Sequence, residues 1–348
     1  MPSTEPQPIL SHPTEASIFL VLTVRSGSEA EVADVLADAS GIKRSVGFRV
    51  PEAELTLVVG IGAALWDRVN GGPRPAGLHP FRELVGARHT AVATPGDLLF
   101  HIRAHRFDLC FELAQRLTDR LRRLAVVVDE VHGFRSFDDR DVLGFVDGTE
   151  NPEGLAATEA VLIGDEEPAF AGGSYVIVQK YVHDLAAWDA LSTEEQEAAI
   201  GRTKLTDIEF PDEEKAPNSH LALNVIEGPD GEERQIMRFN MPFGRVGAAE
   251  FGTYYIAYAR TSELIELMLT NMFIGDPPGN TDRILDFSAA VTGNLFFVPA
   301  ADLLENLVPD PANASATAPD PDPDPETDPE SKPDDGSLRI GSLRDQPA

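Results

Sequence analysis

A carboxylate in an apolar, glycine-flanked segment is the strongest candidate for chemistry in this sequence. Asp147 lies within residues 144–152, between Val146 and Gly148. Glycine allows a tight turn and a close approach of the backbone to a ligand, and a carboxylate among apolar side chains needs a proton, a partner or a cofactor. Taken alone, the motif favours the alternative, an Asx turn that caps the segment after Pro152.

A guanidinium and an amide alternate with apolar residues further along the chain. In a strand, the period of two places Arg238 and Asn240 on one side and Phe239 and Met241 on the other, in the core. Arg238 is a permanent cation, whose ordinary role would be to pair with a buried acid such as Asp147. An arginine beside Asp147 would also keep that carboxylate ionised and ready to act as a base.

Histidines are the residues that could coordinate a metal or take part in proton transfer. His220 follows an acidic, proline-containing loop and precedes the apolar residues 221–223, which by itself indicates the boundary of a helix or strand. His12 lies in the N-terminal tail, and His101 and His105 lie among arginines, so these three are weaker candidates. The residue pattern does not choose among the eight, which are His12, His79, His89, His101, His105, His132, His183 and His220.

Composition indicates a globular protein with a sizeable core. The chain has 348 residues, 42% of them hydrophobic, and a formal net charge of -30. That acidity opposes binding to nucleic acid or to an anionic membrane, so neither is expected as a partner. Cys110 is the single cysteine, the N-terminus does not resemble a secretory signal, and the first apolar run, residues 18–24, is too short to span a bilayer. We therefore expect a cytoplasmic protein.

Acidic residues and proline dominate the region near the C-terminus. Residues 310–335 contain nine acidic residues against one basic residue, Lys332, and almost nothing apolar. This composition predicts a disordered, extended linker over residues 309–335. A calcium-binding loop is not expected there, because the frequent prolines prevent the chain from wrapping an ion.

Regularly spaced apolar residues return after this linker, within residues 336–348. Leu338, Ile340 and Leu343 could fill pockets on a partner, while glycines let the backbone lie close to its surface. The alternative is a frayed terminus in which these side chains have no role. A long tether followed by a compact apolar motif favours a docking peptide, since tethering raises the effective concentration of a ligand.

Strand and helix patterns alternate along the body of the chain and predict an α+β fold with antiparallel sheets. The second half repeats the order of the first, although the repeat is weak in sequence. A dinucleotide-binding Rossmann fold is excluded, because residues 60–65 lack the third glycine and the acidic residue of its fingerprint. We expect strands at 16–24, 55–60, 174–182, 235–239, 252–260 and 295–298, and helices at 28–40 (with Ser28 as N-cap), 185–190, 193–200 and 262–273.

Four separated segments together resemble the dye-decolorising peroxidase (DyP) family of haem enzymes. They are residues 96–104, the Asp147 segment, residues 218–220 and residues 238–244. Their order along the chain is similar to that of the bacterial cytosolic, B-type branch. The resemblance implies two ferredoxin-like halves of the dimeric α/β-barrel superfamily, which we expect at 16–150 and 151–308, preceded by a flexible N-terminus at 1–15.

The resemblance also implies the residues that would hold haem b. It makes His220 the axial ligand of the iron and places Arg202 against a haem propionate, although a solvent-exposed Arg202 is the alternative. A ligating histidine usually donates its other ring N–H to a carboxylate. Our candidate for that carboxylate is Asp282, with Asp286 and Glu233 as rivals.

On the other face of the haem, the resemblance implies a distal site formed by Asp147 and Arg238. The carboxylate would move a proton of the peroxide, and the guanidinium would stabilise the charge that develops as the O–O bond breaks. Asn240 would orient the peroxide or a water. The sequence does not show how the work divides between Asp147 and Arg238.

The expected function is therefore that of a haem peroxidase that uses hydrogen peroxide to oxidise dyes, phenols or other small reductants. Residues 336–344 resemble the peptides that load cargo into encapsulin shells, which implies a cytoplasmic encapsulin nanocompartment as the location. The family implies a homo-oligomer built from dimers, such as a hexamer. Two alternatives are a haem-binding or iron-releasing protein without peroxidase turnover and a cargo or scaffold protein whose tail is its main function.

Overall fold

The computed structural model describes residues 5–146 and 151–309. Asp147, the linker and the docking peptide of the sequence analysis lie outside these ranges. None of the helices within them has the length and apolar composition that a membrane span requires.

The first half contains two helix-flanked pairs of long strands. In chain order its elements are β1 (Ala16–Val24), α1 (Glu29–Ala37), α2 (Ala39–Gly47), β2 (Thr56–Gly62), α3 (Ala63–Val69), β3 (Leu84–Val85), β4 (Thr90–Ala91), β5 (Leu98–Ala104), α4 (Phe107–Leu121) and β6 (Ala125–Phe134). The long strands pair antiparallel in the order β6-β1-β5-β2.

The second half follows the same plan with more insertions. Its elements are α5 (Gly154–Val161), β7 (Ser174–His183), α6 (Leu185–Asp189), α7 (Thr193–Ile200), α8 (His220–Asn224), β8 (Met237–Arg238), β9 (Met241–Arg245), β10 (Glu250–Ala259), α9 (Ser262–Phe273), β11 (Ser288–Ala290), β12 (Asn294–Val298) and α10 (Ala301–Glu305). Here the strands lie in the order β12-β7-β10-β8.

The two strand orders are equivalent. Numbered by their order along the chain, the four strands of each half lie side by side in the order fourth, first, third, second. Helices lie in the connections, as in a ferredoxin-like unit. The halves join where β12 pairs antiparallel with β2, with Phe296 opposite Gly62. The prediction of an α+β fold with two ferredoxin-like halves is confirmed.

The central strands β1, β2 and β5 are buried on both faces, which explains their long apolar runs. Along β1, Ile18 and Leu20 belong to one core cluster, whereas the intervening Phe19 and Val21 belong to the other. All seven residues of β5 are buried. A strand covered on both sides has no polar face, so it shows an unbroken apolar run rather than alternation.

Two predicted elements differ from those observed. The helix expected over 28–40 is divided into α1 and α2 at Asp38, a residue type that favours helix ends over helix interiors. Ser28 occupies the N-cap position but makes no side-chain capping hydrogen bond. The strand expected over 235–239 is reduced to β8, because Gln235 and Ile236 line a cavity instead of pairing in the sheet.

Candidate active site

A cavity lies between one face of the second half of the sheet and the helices that cover it, and residues of the segment before α5 also line it. The residues selected from the sequence that line it include Arg202, His220, Arg238 and Asn240. The fold thus gathers at one site side chains that are up to 38 positions apart, from 202 to 240.

His220 is the first residue of the short helix α8 and projects into the cavity wall. The helix begins there because Ser219 is its N-cap, with its hydroxyl accepting a hydrogen bond from the Ala222 N–H. The Nδ1 atom of His220 lies 2.7 Å from Oδ2 of Asp282. Because this bond fixes the ring and occupies Nδ1, Nε2 is the ring atom that could coordinate a metal.

Asp282 is completely buried, and its other contacts hold it in place. Its Oδ1 accepts a hydrogen bond of 2.9 Å from the Ile284 N–H, and its own N–H donates to the Met272 carbonyl at 2.9 Å. A buried carboxylate needs such partners. Asp282 is therefore held in place by these contacts where it binds the His220 ring.

The rival carboxylates make other contacts. Asp286 accepts from Arg88 at 2.7 Å and lies 3.1 Å from the His89 ring. Glu233 lines the cavity and forms a strand-like bridge with Glu227. Of the three acids, Asp282 is the one that the structure brings to the Nδ1 atom of His220, and its effect on a bound metal stays a prediction.

The last residue of β8, Arg238, and Asn240 in the connection to β9 line the cavity, while Met237, Phe239 and Met241 are buried in the core. The regular ladder with β10 is interrupted here, and the Asn240 side chain fills the gap by accepting a 3.1 Å hydrogen bond from the Ile256 N–H through Oδ1. Since an N–H requires an acceptor, this bond assigns the amide orientation. The other end of this amide is therefore the Nδ2 donor.

Arg202 follows directly after α7. That helix ends at Gly201, whose φ of +98° lies in the left-handed region that favours glycine. The Arg202 side chain is buried in the cavity wall, with Nη1 3.1 Å from Oδ1 of Asp207. Arg202 is therefore not the solvent-exposed residue of the alternative interpretation, and its contact with a propionate stays a prediction.

Asp147 lies outside the described residues, so its position is not part of the site described here. The residues on either side of residues 147–150 contact the site. Val146 lines the cavity, and the Asn151 side chain binds the backbone of Arg238. The assignment of Asp147 to proton transfer stays a prediction.

Sequence reasoning missed a polar group in the cavity wall, His183. Its Nδ1 lies 2.7 Å from the Ser288 hydroxyl and its Nε2 lies 2.9 Å from the Thr253 hydroxyl. His183 and His220 are the histidines that line the cavity within the described chain. Both ring nitrogens of His183 are bonded to hydroxyls, so neither is available to a metal. The alternation of Tyr181 and His183 at the end of β7 was the signal that could have placed both on one face.

The burial of His183 makes the free energy of unfolding depend on pH. Burial lowers its pKa to about 4, against roughly 6.5 in an unfolded chain. Between these values the unfolded state binds more protons, so stability rises with pH across this window and is lost as the pH falls from 6.5 towards 4. We expect His183→Asn to flatten this dependence in urea unfolding measured at several pH values. The exposed His12→Asn is the control, and parallel curves for the wild type and His183→Asn would contradict the expectation.

Comparisons with known proteins agree with this geometry. Family models for the N-terminal and C-terminal regions of Dyp-type peroxidases match residues 6–135 and 138–303. A dye-decolorizing peroxidase of Rhodococcus erythropolis is 59% identical over 97% of this chain and 97% of its own. The cryo-EM structure of the encapsulated DyP-type peroxidase from Mycobacterium smegmatis has a TM-score of 0.87 and 60% identity, covering 88% of this chain and 99% of that one. A variant of Rhodococcus jostii RHA1 DypB in complex with heme has a TM-score of 0.85 and 56% identity, with 87% and 98% covered.

The matches to the two family models together span nearly the whole described chain, and the relatives are similar over almost their full length. The fold, with its two ferredoxin-like halves, and the cavity residues of the second half are features that the sequence resemblance had led us to expect. This chain belongs to the Dyp-type peroxidase family.

Proposed function

We propose that this protein is a haem peroxidase that uses hydrogen peroxide to oxidise dyes, phenols or other small reductants. The observation that carries the proposal is the convergence of two sets of groups on one cavity. An imidazole backed by a buried carboxylate, His220 with Asp282, forms one part of its wall. A cation and an amide donor, Arg238 and Asn240, form another part.

The residues that line the cavity suit haem b. Apolar side chains such as Phe145, Ile200 and Met268 could pack against a macrocycle, and Arg202 and Arg234 could pair with its carboxylates. His220 would coordinate the iron through Nε2. Asp282 would hold that imidazole in one orientation and increase its basicity.

When bound, the haem supplies the iron at which the O–O bond of peroxide is cleaved and at which oxidising equivalents are held. Asp147 would accept the proton of the attacking peroxide and return it to the departing oxygen. Arg238 would stabilise the negative charge on that oxygen. Asn240, with Oδ1 bonded to the Ile256 N–H, would donate from Nδ2 and orient the peroxide or a water.

The replacement Asp282→Asn is expected to lower the rate constant for the reaction with peroxide by about 10- to 100-fold, the usual range when the partner of a ligating histidine is changed. The side chain keeps its shape but loses its charge, so the imidazole becomes a weaker donor. The reduction potential of the iron should therefore rise. Stopped-flow absorbance and a redox titration measure the two effects.

The matched control for this variant is Asp286→Asn, because Asp286 is also an aspartate beside a histidine but lies against Arg88 and His89. We expect its peroxide reaction and its reduction potential to match those of the wild type. Equal effects of Asp282→Asn and Asp286→Asn would show that Asp282 has no special role in the peroxide reaction.

The function is tested most directly by an absorbance spectrum of the purified protein, before and after the addition of peroxide. We expect a Soret band that changes rapidly with peroxide, followed by oxidation of a dye. Haem binding without that change would support a haem-binding or iron-releasing protein instead. A colourless protein that still enters shells would leave a cargo or scaffold role.

The proposed location is the interior of a cytoplasmic encapsulin nanocompartment. The relative from M. smegmatis is described as encapsulated, and residues 336–344 of this chain carry the docking pattern of spaced apolar residues. Hydrogen peroxide and a small reductant would be the small-molecule partners. We propose a homo-oligomer built from dimers, whose size analytical ultracentrifugation would give.

A further inference from the structure

The backbone of Arg238 is held by the side chain of a residue 87 positions away. The Asn151 Oδ1 accepts a hydrogen bond of 2.8 Å from the Arg238 N–H, and the Asn151 Nδ2 donates one of 2.7 Å to the Arg238 carbonyl. Both polar groups of one peptide residue are thus satisfied by one side-chain amide. We propose that Asn151 is a positioning residue that fixes Arg238 for the reaction with peroxide.

The sheet topology explains why Arg238 needs such a partner. β8 is the last strand of the sheet order, so among the strands of residues 5–146 and 151–309 it pairs with β10 alone. Arg238 lies opposite Ala257, while the neighbouring Phe239 donates its N–H to the Ile256 carbonyl. In an antiparallel ladder, alternate residues bond to the neighbour, and those between them point outwards. The N–H and C=O of Arg238 therefore point away from β10. There the Asn151 amide forms the two hydrogen bonds that a neighbouring strand would otherwise form.

We call the two hydrogen bonds between Asn151 and Arg238 the clamp. They lie where β8 has few ladder bonds to β10. β8 contains two residues, and the regular pairing with β10 stops before Asn240, whose side chain replaces a ladder bond. A strand of this length has few bonds of its own to fix its backbone. The direction in which the Arg238 guanidinium enters the cavity is therefore set by Asn151 on one edge and by β10 on the other.

This inference deepens the proposed function and rests on it for the readouts that need haem. In Asn151→Ala we expect the rate constant with peroxide to fall by about 10- to 100-fold, since small displacements of a catalytic group have effects of that order. Fluoride affinity of the ferric protein should weaken in parallel, because the guanidinium also stabilises a bound anion. Haem content should stay that of the wild type.

A double-mutant comparison separates positioning from general destabilisation. If Asn151 acts through Arg238, the change Asn151→Ala should alter the peroxide rate and fluoride affinity by less than about twofold in an Arg238→Leu background. The control is Asn294→Ala, because Asn294 is buried and its amide also binds backbone, donating 2.6 Å to the Thr94 carbonyl. It should lower the melting temperature without changing the peroxide reaction. Equal losses from Asn151→Ala in both backgrounds would overturn the inference.

Hydrogen exchange at the Arg238 amide tests the clamp without haem or turnover. The full-length protein should protect this amide, and Asn151→Ala should remove the protection. Asn151→Leu, which has a similar size and lacks both hydrogen-bonding groups, provides the same comparison if the alanine variant does not fold. Unchanged protection would overturn the inference. If the wild type binds no haem or does not react with peroxide, the proposed function fails, while exchange still decides whether Asn151 holds Arg238.

Discussion

Arg238→Leu is expected to lower the rate constant for the reaction with hydrogen peroxide by about 100- to 1,000-fold, the usual loss when a preorganised donor to a developing negative charge is removed. The guanidinium lines the cavity and is half-buried, so its charge is only partly screened by water. Leucine fills a similar volume and leaves the departing oxygen without a cation. Stopped-flow absorbance at several peroxide concentrations measures the loss directly.

The activity losses of Asp147→Asn and Arg238→Leu show which of the two distal groups contributes more. We expect the asparagine variant to lose less activity than Arg238→Leu, because a water can still carry the proton, whereas no other group replaces a fixed positive charge. The exposed Arg116→Leu is the control, since Arg116 pairs with Glu112 on the surface of α4. The reverse order of the two losses would show that the carboxylate is the more important distal group.

Deletion of residues 336–348 is expected to abolish loading into encapsulin shells and to leave the peroxidase activity per haem unchanged. The apolar residues Leu338, Ile340 and Leu343 would be the contacts with the shell. The composition of the acidic, proline-rich stretch before them predicts an extended tether that would contribute reach. Coexpression with a shell protein, followed by size-exclusion chromatography with detection of the Soret band, measures loading.

Two further variants of the tail separate docking from tethering. Replacement of Leu338, Ile340 and Leu343 by serine should prevent loading as completely as the deletion. Replacement of Asp320, Asp322 and Asp324 by asparagine should leave loading intact, because it changes the charge of the tether but not the docking residues. Normal loading of the truncated protein would show that another surface enters the shell.

Local patterns predicted much of the fold. Strand β1 and helices α7 and α9 have the bounds read from the sequence, because each shows its signal within a few residues. The capping box of Ser192 and Glu195, for example, marks the start of α7. The alternation of buried Phe239 and Met241 with Arg238 and Asn240 was also visible locally and is present in the structure.

Contacts between distant residues could not be read in this way. Asp282 and His220 are 62 positions apart, and the sequence left Asp286 and Glu233 as close rivals of Asp282. Only the packing of the segment after α9 against α8 brings Asp282 to the imidazole and directs Asp286 to Arg88. His183 was one of eight histidines until the sheet placed it in the cavity wall.

The sequence by itself determined the α+β class, the apolar and polar sides of the strands, and the residue types available for chemistry, because these follow from periodicity and composition within short windows. The tertiary structure alone decided which acid binds His220, which residue supports Arg238, and which histidines meet the cavity. The physical reason is that strand order and edge exposure arise from packing of the whole chain, so a backbone group left open at one edge is satisfied by a side chain far away in sequence.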